Sequence, residues 1–341
     1  MTFNEGGAGI GTGMVYFGST DRNVYAVDMD SGELRWKFET GGPIRGNVST
    51  DGGAVYSPSS DGCIYSIDAK SGELIWKLNV NAEVFMPKYH KGRIYAGYKN
   101  NIFFCISMDG KVVWKFYAKD VVSAWPAAFS EKHIYFGSWD HHIYCLDFNG
   151  NLVWKFKAQN VTYSPVIGED RIYFGSRDFC VYCLDASDGS LLWKFKTGGF
   201  VINPVISGNR VYFGSYDNNI YCLDAESGRK IWKYSTNGFV NSLAIHDQLI
   251  YAGCWDCNLY CLDAGTGGLV WKFQTSMSTP SEIAPPETGL SKTTEVTWTP
   301  ETEEEKKKYQ SGGGGDYDLN LSQYGVMDTG YVGHKKKGYV K

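Results

Sequence analysis

The chain lacks several things. No run of about 18 consecutive apolar residues occurs, so nothing has the length and hydrophobicity of a membrane-spanning helix. An excess of positive charge is missing too. Lys and Arg total 33 against 37 Asp and Glu, a formal net charge of −4 over 341 residues, which argues against a globally basic nucleic-acid binder. Helical periodicity is absent before residue 285. The opening residues, MTFNEGGAGIGTG, carry neither a basic n-region nor an apolar h-region, so no secretory signal is expected there. Nine cysteines are present, yet no two are adjacent.

What is present is a repeat. Arg210 to Thr236 reads RVYFGSYDNNIYCLDAESGRKIWKYST, and the same pattern occurs seven times. Its most regular member is a tryptophan, at Trp36, Trp76, Trp114, Trp154, Trp193, Trp232 and Trp271, with spacings of 40, 38, 40, 39, 39 and 39 residues. Self-similarity near 40 residues is the signature of a propeller or solenoid, in which each unit packs on its neighbours.

Each repeat reads as four strands. The first is a variable run, as in Phe200 to Ile206. The second is the VYFGS run that begins near Val15, Val55, Ile94, Ile134, Ile172, Val211 and Ile250. The third is the VYAVD or IYCLD run, and the fourth holds the tryptophan. β-Branched and aromatic residues bounded by Gly, Asp and Ser predict strands throughout. Between the second and third strands stands Ser-x-Asp, whose carboxylate closes a hairpin by bonding backbone N–H groups. Between the third and fourth stands Asp-x-x-Ser-Gly, with glycine supplying a positive φ. Repeat three departs most, with Asn100 and Ser107 in place of the two turn aspartates.

The fold predicted is all-β: a seven-bladed β-propeller of four-stranded antiparallel blades over residues 1–286. Residues 2–10 supply a weak, glycine-rich first strand, and the run 279–284 either completes the closure or caps the first blade. Residues 287–341 lose the pattern. They contain a Glu303 to Lys308 block suited to a short helix, then Gly312 to Gly315, then a basic aromatic end. This segment is expected to be an extended, partly disordered tail.

The cysteines follow the repeat. Cys105, Cys145, Cys183, Cys222 and Cys261 share one column with Ala26 and Ser66. A small residue at a fixed site is a packing position, and equivalent sites in neighbouring blades lie too far apart for a disulfide. Reduced, metal-free thiols and a cytoplasmic location are therefore expected. Cys254 and Cys257 flank one hairpin turn, and Cys180 with Cys183 repeats the spacing, but no set of four zinc ligands is evident. His141 and His142 occupy the corresponding turn of repeat four. They are expected to face solvent, because adjacent strand residues point to opposite faces.

The run Ala26-Val-Asp28-Met-Asp-Ser31-Gly32-Glu-Leu-Arg-Trp36 resembles the tryptophan-docking motif of the PQQ-like β-propellers. That family includes quinoprotein alcohol dehydrogenases, outer-membrane assembly lipoproteins of the BamB type and many cytoplasmic or sensor proteins. The resemblance covers residues 14 to about 275. It implies that the seven tryptophans pack between adjacent blades, and it often goes with eight blades, whereas seven motifs occur here. Quinoproteins of the family bind the quinone and calcium at the axis through acidic, Asn and Trp residues, often beside a vicinal disulfide. With no Cys-Cys pair and no insertions to build a substrate site, no cofactor is expected here.

No nucleophile–base pair, phosphate loop or metal set emerges. The residues flanking the hairpin aspartates are more informative. Arg22, Lys99, Trp139, Arg177, Tyr216 and Trp255 would share one face of a propeller and are of the types enriched in binding hot spots, although any turn shows variety. The tail presents Lys335, Lys336, Lys337 and Tyr339, suited to nucleic acid, to an acidic protein patch or simply to solvent. The expected function is a non-catalytic, protein-binding scaffold in a cytoplasmic assembly, with the tail as a second contact. The alternatives are an RNA- or ribosome-associated factor gripping through the tail, and a quinone-dependent dehydrogenase.

Overall fold

A computed structural model describes residues 9–11, 13–98, 101–122 and 127–275. These form seven four-stranded antiparallel sheets, each a meander in sequence order, and no helix occurs among them. The architecture is a seven-bladed β-propeller with blades over 9–39, 49–79, 84–117, 128–157, 166–196, 201–235 and 240–274. The weak first strand is short, Gly9–Gly11. Lys99, the 279–284 run, the Glu303 to Lys308 block and the tail lie outside the described residues.

Blade six shows how the sequence makes the unit. Arg210–Ser215 pairs with Asn219–Asp224, and Asn219–Asp224 with Lys230–Ser235. The Ser227 N–H and hydroxyl both donate to Asp224 Oδ1, at 2.8 and 2.6 Å, and Gly228 takes φ 68°. Cys222 lies directly opposite Trp232, and the register shifts immediately after it. The same shift follows the Cys, Ala or Ser column in all seven blades. A small side chain facing the tryptophan leaves room for the indole, and the bulge adds local twist. All five cysteines of this column are buried and unpaired.

The core lies between blades rather than within them. Six buried clusters each combine residues of two consecutive blades. The tryptophan seals every one of these interfaces. Trp193 donates its Nε1–H to Ala225 O of the next blade at 3.1 Å, and its ring covers the Gly228 turn, where a Cβ would stand 2.6 Å away. Trp36, Trp76, Trp114, Trp154 and Trp232 do the same to Ala69, Met108, Phe148, Ala186 and Ala264 at 2.8 to 3.1 Å. Glycine is required at the receiving turn twice over, by its φ and by the indole upon it.

Trp271 differs from the other six in its described surroundings. It is 41% exposed. The turn that would receive it, at Gly32 of blade one, has no described heavy atom within 4 Å of a Cβ position. The seam between blades seven and one is unsealed among the described residues, because no described blade turn lies against Trp271.

Candidate functional site

The hairpin turns between second and third strands carry a repeated polar pair. In blade six, Tyr221 donates to Asp217 Oδ2 at 2.7 Å, and the Gly198 N–H of the incoming linker donates to the same oxygen at 2.8 Å. One carboxylate thus ties its own hairpin to the linker from the preceding blade. Burial pushes Asp217 up, but the Gly198 N–H, the Tyr221 hydroxyl, the Asn219 amide and Ser215 outweigh it and hold the carboxyl below its ordinary range. The pair recurs as Asp21–Tyr25, Asp61–Tyr65, Asp140–Tyr144, Asp178–Tyr182 and Asp256–Tyr260. Blade three has Asn100 and Phe104 instead, so both members change together. The signal, Asp followed four residues later by Tyr, stands in the sequence at the repeat period, but only the turn role of the aspartate was read from it.

The residue between Ser and Asp is held outward by a backbone bond to the linker. The N–H groups of Trp139, Arg177, Tyr216 and Trp255 donate to the carbonyls of Val121, Val161, Phe200 and Phe239 at 2.8 to 3.0 Å. The side chains meet in a continuous arc. The Arg177 guanidinium lies 5.6 Å from the Trp139 ring and 5.6 Å from the Phe200 ring, and its Nε–H donates to the Tyr163 hydroxyl at 2.7 Å. Phe200 meets Tyr216 at 5.6 Å, Tyr216 stacks on Phe239 at 4.8 Å, and Phe239 meets Trp255 at 5.7 Å. Trp255 ends the arc and is 56% exposed.

Four of the six residues expected on this face therefore come together, on blades four to seven. Arg22 does not join them. It is the residue after the aspartate rather than before it, takes φ 74° and pairs with Glu39 at 3.0 Å. The true counterparts in blades one and two are Thr20 and Ser60, so the face is aromatic on one side and small and hydroxylic on the other. Lys99, Lys335, Lys336, Lys337 and Tyr339 lie outside the described residues. Phe200, Phe239 and Tyr163 were not expected. They sit in the linkers that lead into the first strands, whose sequences vary between repeats and carry no periodic signal.

Two other expectations resolve on geometry. His142 turns inward rather than to solvent: its side chain is 12% exposed, with Nδ1 3.1 Å from Asp140 Oδ1 and 2.9 Å from Asp140 O. The short contact to a carbonyl puts the proton on Nδ1. His141 occupies the left-handed position, φ 73°, so the two rings serve different ends. Cys254 takes the place of the turn serine and lies 3.1 Å from Gly238 O, as Ser215 does toward Gly199 O. Cys257 is the left-handed turn residue, φ 62°. Cys180 and Cys183 face opposite sides of blade five, in separate clusters. Among the described residues no cluster of three or more His, Cys, Asp or Glu is placed to hold a metal ion.

A cavity of about 540 Å³ opens among the first strands of blades two to six, where its polar lining is Asn47, Lys88, His90, Ser164 and Asn203. Among the described residues, no carboxylate and no tryptophan stands in that lining. The described donors do not by themselves make a site for a quinone with calcium, which calls for anionic oxygen ligands.

The fold and its seals define a class, the tryptophan-docked β-propeller. Within it the chain belongs to the PQQ-like propellers: the family model described as outer membrane protein assembly factor BamB matches residues 3–96, 99–179 and 140–300. Among solved structures, the computationally designed Ika8 protein is similar at a TM-score of 0.72 and 15% identity, over 80% of this chain and 87% of that one. BamB from Moraxella catarrhalis is similar at 0.62 and 18%, over 73% and 82%. Identities this low show the fold alone. None of the curated proteins compared matches the chain.

Proposed function

We propose that the protein is a non-catalytic scaffold that binds another protein through the arc Trp139–Arg177–Phe200–Tyr216–Phe239–Trp255. The observation that carries this reading is the unbroken run of ring contacts on one face of four consecutive blades. Turns stabilised by Asp–Tyr pairs need no aromatic side chain at the preceding position, as Thr20 and Ser60 demonstrate. Aromatic residues packed ring against ring lose little entropy on binding, and Trp, Tyr and Arg dominate interface hot spots. The family's description as an outer membrane protein assembly factor is in keeping with a propeller that works by contact. Nine unpaired thiols, seven of them buried, support a reducing compartment such as the cytoplasm.

The test is site-specific photo-crosslinking at position 255, with position 20 as control, followed by affinity measurement on the captured protein. Trp139→Ala with Trp255→Ala is expected to weaken binding by about 30-fold or more, the loss of one hot spot of about 2 kcal/mol. Unchanged affinity, or equal crosslinking from position 20, would contradict the reading.

A further inference from the structure

The aromatic arc has a hydrogen-bonding character as well as a shape. The carboxylates of its four hairpin turns are committed within the protein. Asp140, Asp178, Asp217 and Asp256 each accept from a tyrosine hydroxyl of their own blade at 2.5 to 2.7 Å. The same oxygens accept the linker N–H groups of Lys119, Gln159, Gly198 and Asn237 at 2.8 to 3.1 Å. The second oxygens accept from His142, Cys180, Asn219 and Asn258 at 3.1 Å.

The indole donors at the two ends of the arc are in the opposite state. The six docked tryptophans all donate Nε1–H to a carbonyl of the next blade. Those of Trp139 and Trp255 have no acceptor among the described residues. Charge has a small part here. Arg177 is the arc's one charged side chain, and its guanidinium lies 5.6 to 5.9 Å from the Trp139, Tyr163 and Phe200 rings.

The face therefore offers aromatic rings and N–H donors. Its complement is uncharged, apolar, rich in acceptors and poor in donors. Proline meets these conditions, with a carbonyl, no N–H and an apolar ring. A proline-rich segment is also preformed as polyproline II, with its carbonyls unbonded, so it loses little entropy on docking against aromatic side chains. Resting on the arc's role as a protein-binding surface, we propose that its partner presents a proline-rich segment in the polyproline II conformation. The segment lies across Phe200, Tyr216 and Phe239, and its carbonyls accept from the indole N–H groups of Trp139 and Trp255.

The test titrates labelled decaproline with the full chain and follows fluorescence anisotropy, beside a glycine–serine peptide of equal length. Decaproline should bind saturably and the control should not. Trp139→Ala and Trp255→Ala should each weaken binding about tenfold, as hot-spot truncations do. Trp255→Phe keeps a ring and removes the N–H, and should weaken binding about threefold, the loss of one hydrogen bond. Thr20→Ala should leave it unchanged, and circular-dichroism melts should show every variant folded. Decaproline that binds no better than the control overturns the proposal. If crosslinking at position 255 still captures a protein, the arc's protein-binding role stands without it, and if nothing is captured both fail. Trp255→Phe binding as tightly as wild type removes the donor contact and overturns the proposal too. So does wild-type self-association that Trp255→Ala abolishes, which assigns the arc to a second copy of the chain.

Discussion

The interface between blades six and seven and the seam between blades seven and one present the same residue types in different states. At the first, Trp232 donates to Ala264 O at 3.1 Å and lies against Gly267, where a Cβ would stand 2.6 Å from the ring. At the second, Trp271 is 41% exposed and no described heavy atom lies within 4 Å of a Cβ at Gly32. The motif alone therefore does not make the interface. An indole contributes when a neighbouring turn covers it and accepts its N–H, and the same residue without that turn is an exposed apolar surface. Each difference between the two sites predicts a difference in the cost of substitution.

The largest contrast is expected between Gly228→Leu and Gly32→Leu. Both residues have a positive φ, 68° and 70°, so both variants pay a backbone cost of about 1 kcal/mol. Only the first also drives a side chain into the Trp193 ring, a clash that typically adds about 1–3 kcal/mol. Urea midpoints of the two variants should separate accordingly, and equal shifts would show that the indole does not occupy the Gly228 turn.

An intermediate effect is expected at the Asp–Tyr pairs. Asp217→Asn is expected to lower stability by about 1.5–3 kcal/mol near neutral pH, the range for hydrogen bonds to a charged group. Because the folded carboxyl lies below its ordinary value, its contribution is present above the unfolded pKa of about 4. It is lost as the pH falls through the folded pKa. The stability gap between wild type and variant should therefore shrink in acid. A gap independent of pH would remove the charge from the account. Tyr221→Phe in the Asp217→Asn background should cost less than in wild type, since the two residues act as a pair. Blade three, with Asn100 and Phe104, already carries that double change.

The smallest effect on stability belongs to the arc. Trp255→Ala should move the urea midpoint by no more than about 0.5 kcal/mol, as for other surface changes, while weakening partner binding. A large loss of stability would mean that the arc is a fold element and not a docking surface.

The periodic part of this molecule was legible in its sequence because periodic contacts leave periodic residues. The tryptophan spacing fixed the number of blades, and the Cys column with Ala26 and Ser66 marked the packing site opposite the indole. Trp139, Arg177, Tyr216 and Trp255 were legible as a column beside the recurring turn aspartate. Phe200, Phe239 and Tyr163 were not, because they belong to linkers, where each blade makes its own contacts. His142 misled because strand alternation says which face a residue occupies and nothing about a short reach back to Asp140. The seam was hidden for a different reason. Trp271 carries the same motif as the other six, and whether a neighbour covers it is a property of the next blade.

The most direct test of the docking account compares Trp232→Ala with Trp271→Ala by urea denaturation at a concentration where the wild-type chain is monomeric. Removing a docked indole is expected to cost about 3–5 kcal/mol, and removing the exposed one no more than about 1 kcal/mol. Equal losses at the two sites would contradict the distinction between a sealed interface and an open seam.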